Sequence, residues 1–325
     1  MIGGMKVVSL APMWRDELGA RLSEGITLVS VDRSDAARVA AELGDAAVVL
    51  TTRFDREMAR ACRTLQLIVC PAAGTEGIDR DAVPQGVEIL NGVGHETPMA
   101  EYVIGALVAL RQRFLEADRA LRRGTWRFGY FGDGQMVDEL RGSTLGIVGF
   151  GRIGEQVARR ANAFGMRCRA VTLHADKPIG DGLLAQAPGS IARPQDVDDL
   201  VAMSDAVVIA CEHSSLTHGL IDSRRLASMR RTAVLVNVAR GPIVDERALF
   251  EALKTSSIAG AAIDVWYRYP EDGARDAKPS AYPFETLENV LMTPHSSGWT
   301  SGAKARKLAF LSDAINGWYE NRRPH

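Results

Sequence analysis

The chain has 325 residues, enough for two domains that each bury a core of their own. Its 39 basic and 40 acidic residues form no long block of one sign. That excludes the basic surface needed by a nucleic-acid or anionic-membrane partner, and leaves a small molecule as the expected one.

The opening segment MIGGMKVVSL has one lysine and no sustained apolar stretch before a small-residue cleavage site, so it does not read as a secretory signal. Val7, Val8 and Leu10 read as a first strand. Further short apolar runs follow, namely ITLVSV, AAVVLT, LQLIVC and VEIL, each separated by amphipathic or turn-rich sequence. Such alternation predicts a parallel sheet with crossover helices, because a tight hairpin cannot join parallel neighbours. Glycines cluster in NGVGHETP, after which helical apolar spacing predicts one helix from Met99 to about Arg123. Thr97 would be its N-cap, Pro98 its first residue, and the helix itself an interdomain connector.

RRGTWRFGYFGDG then reads as a loop, and a second α/β series begins at Leu145 with LGIVGF, CRAVTL, DAVVIAC, AVLVNVA and IAGAAIDV. Proline and charge mark Pro270 to Pro283 as a long surface loop, and Ser301 to Tyr319 again has helical spacing. The longest apolar run, Val103 to Leu110, is far short of the roughly 20 residues that span a bilayer, so a cytoplasmic protein is expected. The cysteines Cys62, Cys70, Cys168 and Cys211 have neither C-x-x-C nor Cys/His ligand spacing. No metal site or disulfide framework is therefore expected, and they read as reduced thiols.

LGIVGFGRIGEQVARRANAFG places G-x-G-x-x-G directly after a predicted strand and at the start of a predicted helix. In that context Gly149 permits the tight turn, Gly151 admits a pyrophosphate, and Gly154 allows close helix packing, while amides and the helix dipole face the phosphates. FAD and S-adenosylmethionine proteins use related turns, which the motif alone does not exclude. An NAD site would carry an acidic residue at the end of the second strand. CRAVTLHADK offers Thr172 there, with His174, Asp176 and Lys177 beyond. Thr172 would not repel a 2′-phosphate, and His174 or Lys177 could attract one, whereas Asp176 could restore NAD preference. NAD and NADP both stay open.

The turn lies in mid-chain, with α/β sequence before it and NVARGPIVDE and TPHSSGWT after it. Together with CPAAGTEGID at 70–79, MAEYVIGALVAL at 99–110 and ELRGSTLGIVGFGRIG at 139–154, these segments resemble the D-isomer-specific 2-hydroxyacid dehydrogenases, a family of the phosphoglycerate dehydrogenase and glyoxylate reductase type. The resemblance implies an α/β fold of two Rossmann-like domains with parallel sheets. Residues 1–96 and 295–325 would form a discontinuous substrate domain, with the dinucleotide-binding domain 97–294 inserted and the active site in the cleft. It also implies a homodimer through the cofactor domains.

By the same resemblance Arg240 would grip the carboxylate of a small 2-hydroxy or 2-keto acid and polarise the adjacent carbonyl, as a planar guanidinium can. His295, in T-P-H, would exchange the proton as hydride passes to or from NAD(P). Amides of Ala73 and Gly74 would hold the substrate carboxylate. Arg152 and Ile153 would face the pyrophosphate, and Cys211, Val238, Ala239 and Asp264 would line the nicotinamide side. Trp126 and Trp299 read either as pocket walls or as core. His95, beside Glu96, reads as a turn residue rather than a cleft residue.

One departure stands out. The family's glutamate, which bonds the catalytic histidine, directly precedes a proline, but in DVWYRYP that place is held by Tyr269 before Pro270. A tyrosine orients an imidazole without charge, so His295 is expected to hold its proton less firmly than beside a carboxylate. Three outcomes follow: an active enzyme in which Tyr269 orients His295, replacement of the acid by Glu271 or Glu96, or an NAD(H)-binding corepressor-like module with little turnover. Formate is not expected as substrate, since that subgroup carries extra N-terminal sequence and a glutamine that this chain lacks.

Overall fold

A computed structural model describes residues 4–11, 14–130, 136–175, 182–271 and 274–322. The chain divides into two compact units, one from the N-terminus to His95 together with the segment from Trp299 onward, the other from Glu96 to Gly298. His295 thus lies in the second unit, four residues before the chain returns to the first.

The first unit is built on β1 (Met5–Ser9), β2 (Ile26–Ser30), β3 (Val48–Leu50), β4 (Leu67–Cys70) and β5 (Glu88–Asn91), paired in the order β2-β1-β3-β4-β5 with all pairs parallel. Each strand coincides with an apolar run of the sequence. The helix Ser301–Glu320, capped by Thr300 accepting from the Ala303 amide, returns to this unit. Its Leu308, Leu311, Ile315 and Trp318 pack with Val7, Leu50, Leu67 and Val69 on one face of the sheet.

The second unit holds β6 (Thr144–Val148), β7 (Arg167–Thr172), β8 (Gly189–Ser190), β9 (Ala206–Ile209), β10 (Val234–Asn237), β11 (Gly260–Ile263) and β12 (Val290–Met292). Their order is β12-β11-β10-β9-β6-β7-β8, again parallel throughout. Both faces are covered, and residues alternate between two cores: Val207, Leu235 and Ile263 look one way, Val208, Val236 and Ala262 the other. That double burial explains why the strands are continuous apolar runs instead of alternating ones. The sequence gives no sign of β8, whose two residues are Gly and Ser.

The predicted helix 99–123 is corrected in two ways. It begins at Glu96, so Thr97 and Pro98 lie inside its first turn instead of capping it, and it ends at Arg111. A second helix, Phe114–Arg122, follows a break at Arg113, whose φ of 53° is left-handed. The Arg113 guanidinium pairs with Glu116 and lies 4.7 Å from the Phe128 ring centre, contacts that hold the kinked conformation. Apolar spacing runs across the break, which hides it from a periodicity argument. The first helix packs on the helix Arg152–Ala163, within the second unit.

Trp126 and Trp299 are 66% and 63% exposed, so neither is core. All four cysteines are free thiols. No helix among the described residues is long and apolar enough to cross a membrane, and no group of three or more His, Cys, Asp or Glu among them is placed to hold a metal ion.

Leu107 is fully buried where the helix Glu96–Arg111 meets the sheet core. Leu107→Ala should lower unfolding free energy by about 2–5 kcal/mol, seen as a reduced urea midpoint at unchanged slope.

Candidate active site

Strand register brings the candidate residues of the second unit to one edge of one sheet. Val148 pairs with Val171 on one side and with Ile209 on the other, Ile209 with Asn237, Asn237 with Ile263, and Ile263 with Met292. Thr172, Gly149, Cys211, Val238 to Arg240, Asp264 and His295 therefore leave the carboxyl ends of adjacent strands. The chain runs outward in opposite directions from β6 and β9, so the Gly149 turn sits at the topological switch point, where open α/β sheets bind their ligands.

The three glycines of that turn answer different demands. Gly149 has φ 99°, and a Cβ there would lie 2.4 Å from the Cys211 amide nitrogen, so both conformation and packing require glycine. At Gly154 a Cβ would come within 2.5 Å of the Gly149 carbonyl oxygen. Gly151 differs: its φ of −103° suits any residue, and nothing lies within 4 Å of a Cβ built on it. Protein packing gives no reason for glycine at 151. Its bare backbone opens space at the start of the helix Arg152–Ala163, where no N-cap side chain accepts from the first amides, and such an uncapped terminus suits a phosphate. Arg152 forms a 3.4 Å ion pair with Glu96, while Ile153 is half-buried against the core.

At the end of β7, Thr172 is buried, and its hydroxyl accepts the His174 amide at 3.3 Å. His174 itself is exposed. Asp176 and Lys177 lie outside the described residues.

Beyond β10 the N-V-A-R-G segment is held by its own asparagine. Asn237 is 1% exposed, accepts the Ala239 amide at 3.1 Å and donates to the Arg240 carbonyl at 3.0 Å. Gly241 allows this turn to meet the next one, because a Cβ there would fall 2.5 Å from the Trp266 carbonyl oxygen. Arg240 is half-buried, and its Nη1 donates to the Ala239 carbonyl at 2.7 Å. Val238 and Ala239 are buried.

Asp264, fully buried at the end of β11, organises the neighbouring turn. Its Oδ1 accepts from Thr293 Oγ1 at 2.6 Å and from the Ser296 amide at 2.8 Å, and its Oδ2 from the Ser297 amide at 3.0 Å. Tyr102 Oη sits 2.8 Å from Thr293 Oγ1, tying the turn to the helix Glu96–Arg111. Within this turn His295 has φ 56°, a strained conformation for a non-glycine residue, and is exposed. Its Nδ1 lies 3.0 Å from Tyr269 Oη, and that oxygen accepts the Trp266 amide at 3.1 Å. Tyr269 is 47% exposed overall, with its hydroxyl held by these two contacts. Burial there pushes the phenol above its ordinary pKa, opposed by the Trp266 hydrogen bond and the charge of Arg240 and assisted by Asp264. Tyr269 therefore keeps its proton across the neutral range. Glu271 is exposed on the loop beyond.

Cys211, against the Gly149 turn, is a buried thiol whose pKa burial raises to about 12, so it is protonated and unreactive. Asn237 and Trp266 were missed by sequence reasoning. The asparagine was legible as the first letter of N-x-x-R-G, but a backbone amide at 266 carries no signal.

In the first unit, Ala73 and Gly74 follow β4 at the carboxyl edge of the sheet. Asn91 Nδ2 donates to the Ala73 carbonyl at 2.8 Å, and the Cys70 thiol donates to that of Gly74 at 3.5 Å, while neither amide donates a hydrogen bond among the described residues. Trp299 stacks on Trp14 with ring centres 5.9 Å apart. His95 is buried, 7% exposed.

A doubly wound parallel sheet with a glycine turn of this kind at its switch point defines a dinucleotide-binding protein. Residues 104–297 match the NAD binding domain of the D-isomer specific 2-hydroxyacid dehydrogenases, and the chain belongs to that family. It is 33% identical over 270 residues to a glyoxylate reductase of Korarchaeum cryptofilum, covering 82% of this chain and 77% of that one. To a D-3-phosphoglycerate dehydrogenase of Archaeoglobus fulgidus it is 30% identical over 316 residues, covering 96% of this chain and 56% of the other. A crystal structure of a putative D-isomer specific 2-hydroxyacid dehydrogenase from a Polaromonas species superposes with a TM-score of 0.75 at 26% identity, covering 99% and 98% of the two chains. The protein is accordingly an NAD(P)-dependent oxidoreductase of 2-hydroxy and 2-keto acids.

The contrast among the glycines makes a prediction. Gly151→Ala should change unfolding free energy by less than about 1 kcal/mol yet weaken NAD(H) binding, measured by fluorescence titration, whereas Gly149→Ala should destabilise by about 2 kcal/mol or more. Equal stability losses in the two variants would contradict the different demands assigned to them.

Proposed function

We propose that the chain reduces and oxidises small 2-keto and 2-hydroxy acids through Arg240 and His295, with Tyr269 as the positioning residue of the histidine. The observation that carries this reading is the 3.0 Å contact between Tyr269 Oη and His295 Nδ1, which orients the imidazole at the carboxyl edge of the sheet.

In this reading the first unit receives the substrate and the second the dinucleotide. The Gly149, Gly151 and Gly154 turn with Arg152 and Ile153 would hold the pyrophosphate, Thr172 and His174 the adenosine ribose, and Cys211, Val238, Ala239 and Asp264 the nicotinamide side. When bound, the nicotinamide supplies or accepts the hydride. Arg240 grips the substrate carboxylate and polarises the carbonyl, and the Ala73 and Gly74 amides share the carboxylate. His295 delivers a proton to the carbonyl oxygen in reduction and withdraws it from the hydroxyl in oxidation. Trp299 would flank the substrate's side chain. Exposed His174 beside neutral Thr172 tolerates either NAD or NADP. A homodimer working in the cytoplasm completes the proposal.

The test is nicotinamide absorbance during incubation with a panel of 2-keto and 2-hydroxy acids, each with both cofactors. Arg240→Leu and His295→Asn should each lower kcat/KM by roughly a hundredfold or more, as loss of a transition-state contact does. Tight NADH binding with no acid turned over would instead favour a cofactor-sensing, corepressor-like module. Tyr269→Phe should lower turnover with cofactor affinity nearly unchanged, and equal rates in the two proteins would remove its positioning role.

A further inference from the structure

On the loop that follows β9, His213 and His218 stand five positions apart in sequence and side by side in space. His213 Nε2 lies 3.1 Å from His218 Nδ1, with ring centres 5.4 Å apart and planes tilted by 54°. The loop is held in this shape by Thr217, which is fully buried. Its hydroxyl donates to the Glu212 carbonyl at 2.7 Å and accepts the Ser214 amide at 2.8 Å. The amides of Thr217 and His218 both donate to the Ser214 carbonyl, at 3.1 and 2.8 Å, and the Gly219 amide donates to the Pro242 carbonyl at 2.8 Å. Main chain and a buried threonine thus set the spacing, and the imidazoles are not needed to close the turn.

An ion bound by two imidazoles needs a lone pair from each directed at one point. With metal–nitrogen bonds of about 2.0–2.1 Å, two ligand nitrogens lie about 2.9 Å apart at a right angle and about 3.4 Å apart at the tetrahedral angle. The separation of 3.1 Å falls between these values. Aiming both lone pairs requires only that the rings turn, which their surroundings allow, since His218 is exposed and His213 half-buried. We infer that His213 and His218 form a binding site for a divalent transition-metal ion of the class that imidazole prefers, such as zinc, nickel or copper.

In the metal-free pair one ring donates a proton to the other. Binding moves that proton to the outer nitrogen of the same ring when both rings are neutral, and releases one to solvent when the pair is charged. No third His, Cys, Asp or Glu among the described residues completes a ligand set. Water fills the remaining positions, so the site is open and its ion exchangeable, unlike the closed four-ligand sites of structural zinc. The loop leaves β9 through Cys211, against the Gly149 turn, and reaches the segment after Arg240 at Gly219. A bound ion therefore braces the stretch of chain that connects those two parts of the candidate site.

Zinc alone is the probe, added to untagged protein labelled with nitrogen-15 histidine at a pH above the ordinary histidine range. Resonances missing from His213→Ala and His218→Ala assign the two rings among the chain's 6 histidines. On titration both rings should shift together, with one midpoint and one zinc per chain, before exposed His174 responds. By calorimetry each alanine variant should bind zinc at least about tenfold more weakly, since even groups that merely support a metal ligand cost that much when lost. His218→Gln retains a hydrogen-bonding side chain without the imidazole, and should lose zinc to the same extent. Equal zinc affinity in any of these variants, midpoints that differ between the two rings, or no shift below the concentration that moves His174 would overturn the inference. None of the readouts involves turnover, so the result is independent of the roles proposed for Arg240 and His295.

Discussion

The proposed chemistry depends on one buried carboxylate. Asp264 is fully buried, and a polar group in that position must be satisfied by hydrogen bonds or cost several kcal/mol. Thr293, Ser296 and Ser297 satisfy it, and by doing so bend the segment around His295 into a left-handed conformation that the residue does not adopt readily. The strain at His295, of order 1–3 kcal/mol for such a backbone, is offset by bonds made at its neighbours. This arrangement is available because parallel register places Ile263 beside Met292, so the residues following the two strands emerge together.

A similar economy of backbone contacts assembles the rest of the edge. Gly149 lets the turn after β6 touch the start of the Cys211 loop, and Gly241 lets the Arg240 turn touch Trp266. Each contact is between main chains, where any side chain would intrude. Asn237 fills the remaining need by using both ends of its carboxamide to close the turn that carries Arg240. The result is a row of loops whose spacing is set by the sheet and whose conformations are set by a few small or polar residues, which is how rigid elements present reactive groups accurately.

Most of the fold was legible because doubly covered parallel strands must be apolar throughout, and such runs are hard to mistake. The phosphate turn was legible for a related reason: its glycines answer steric demands that leave few alternatives. What escaped was everything decided by single tertiary contacts. The kink at Arg113 depends on Glu116 and Phe128, which periodicity does not register, and β8 is too short and too small to carry a pattern. Trp299 was ambiguous between pocket and core, since a large aromatic suits both, and its stack on Trp14 joins residues far apart in sequence. The Tyr269 position could be read as a departure from family pattern, but its partner could not, because the Trp266 amide that orients the hydroxyl is main chain.

That last contact bears on the electrostatics of the whole site. A carboxylate next to His295 would add a negative charge where an anionic acid has to bind, and would oppose Arg240 as well as stabilise an imidazolium. Tyr269 is neutral and remains so, and the nearby charge of Asp264 is already committed to the 293–297 turn. Under the proposed roles, Arg240 then faces the incoming carboxylate without a competing anion at position 269, which favours binding of the acid. The same substitution removes the partner that would best support a charged histidine. Substrate binding and proton transfer therefore make opposing demands on residue 269, and a hydrogen-bonded phenol meets the first while keeping, through its contact with Nδ1, the ring orientation that the second requires.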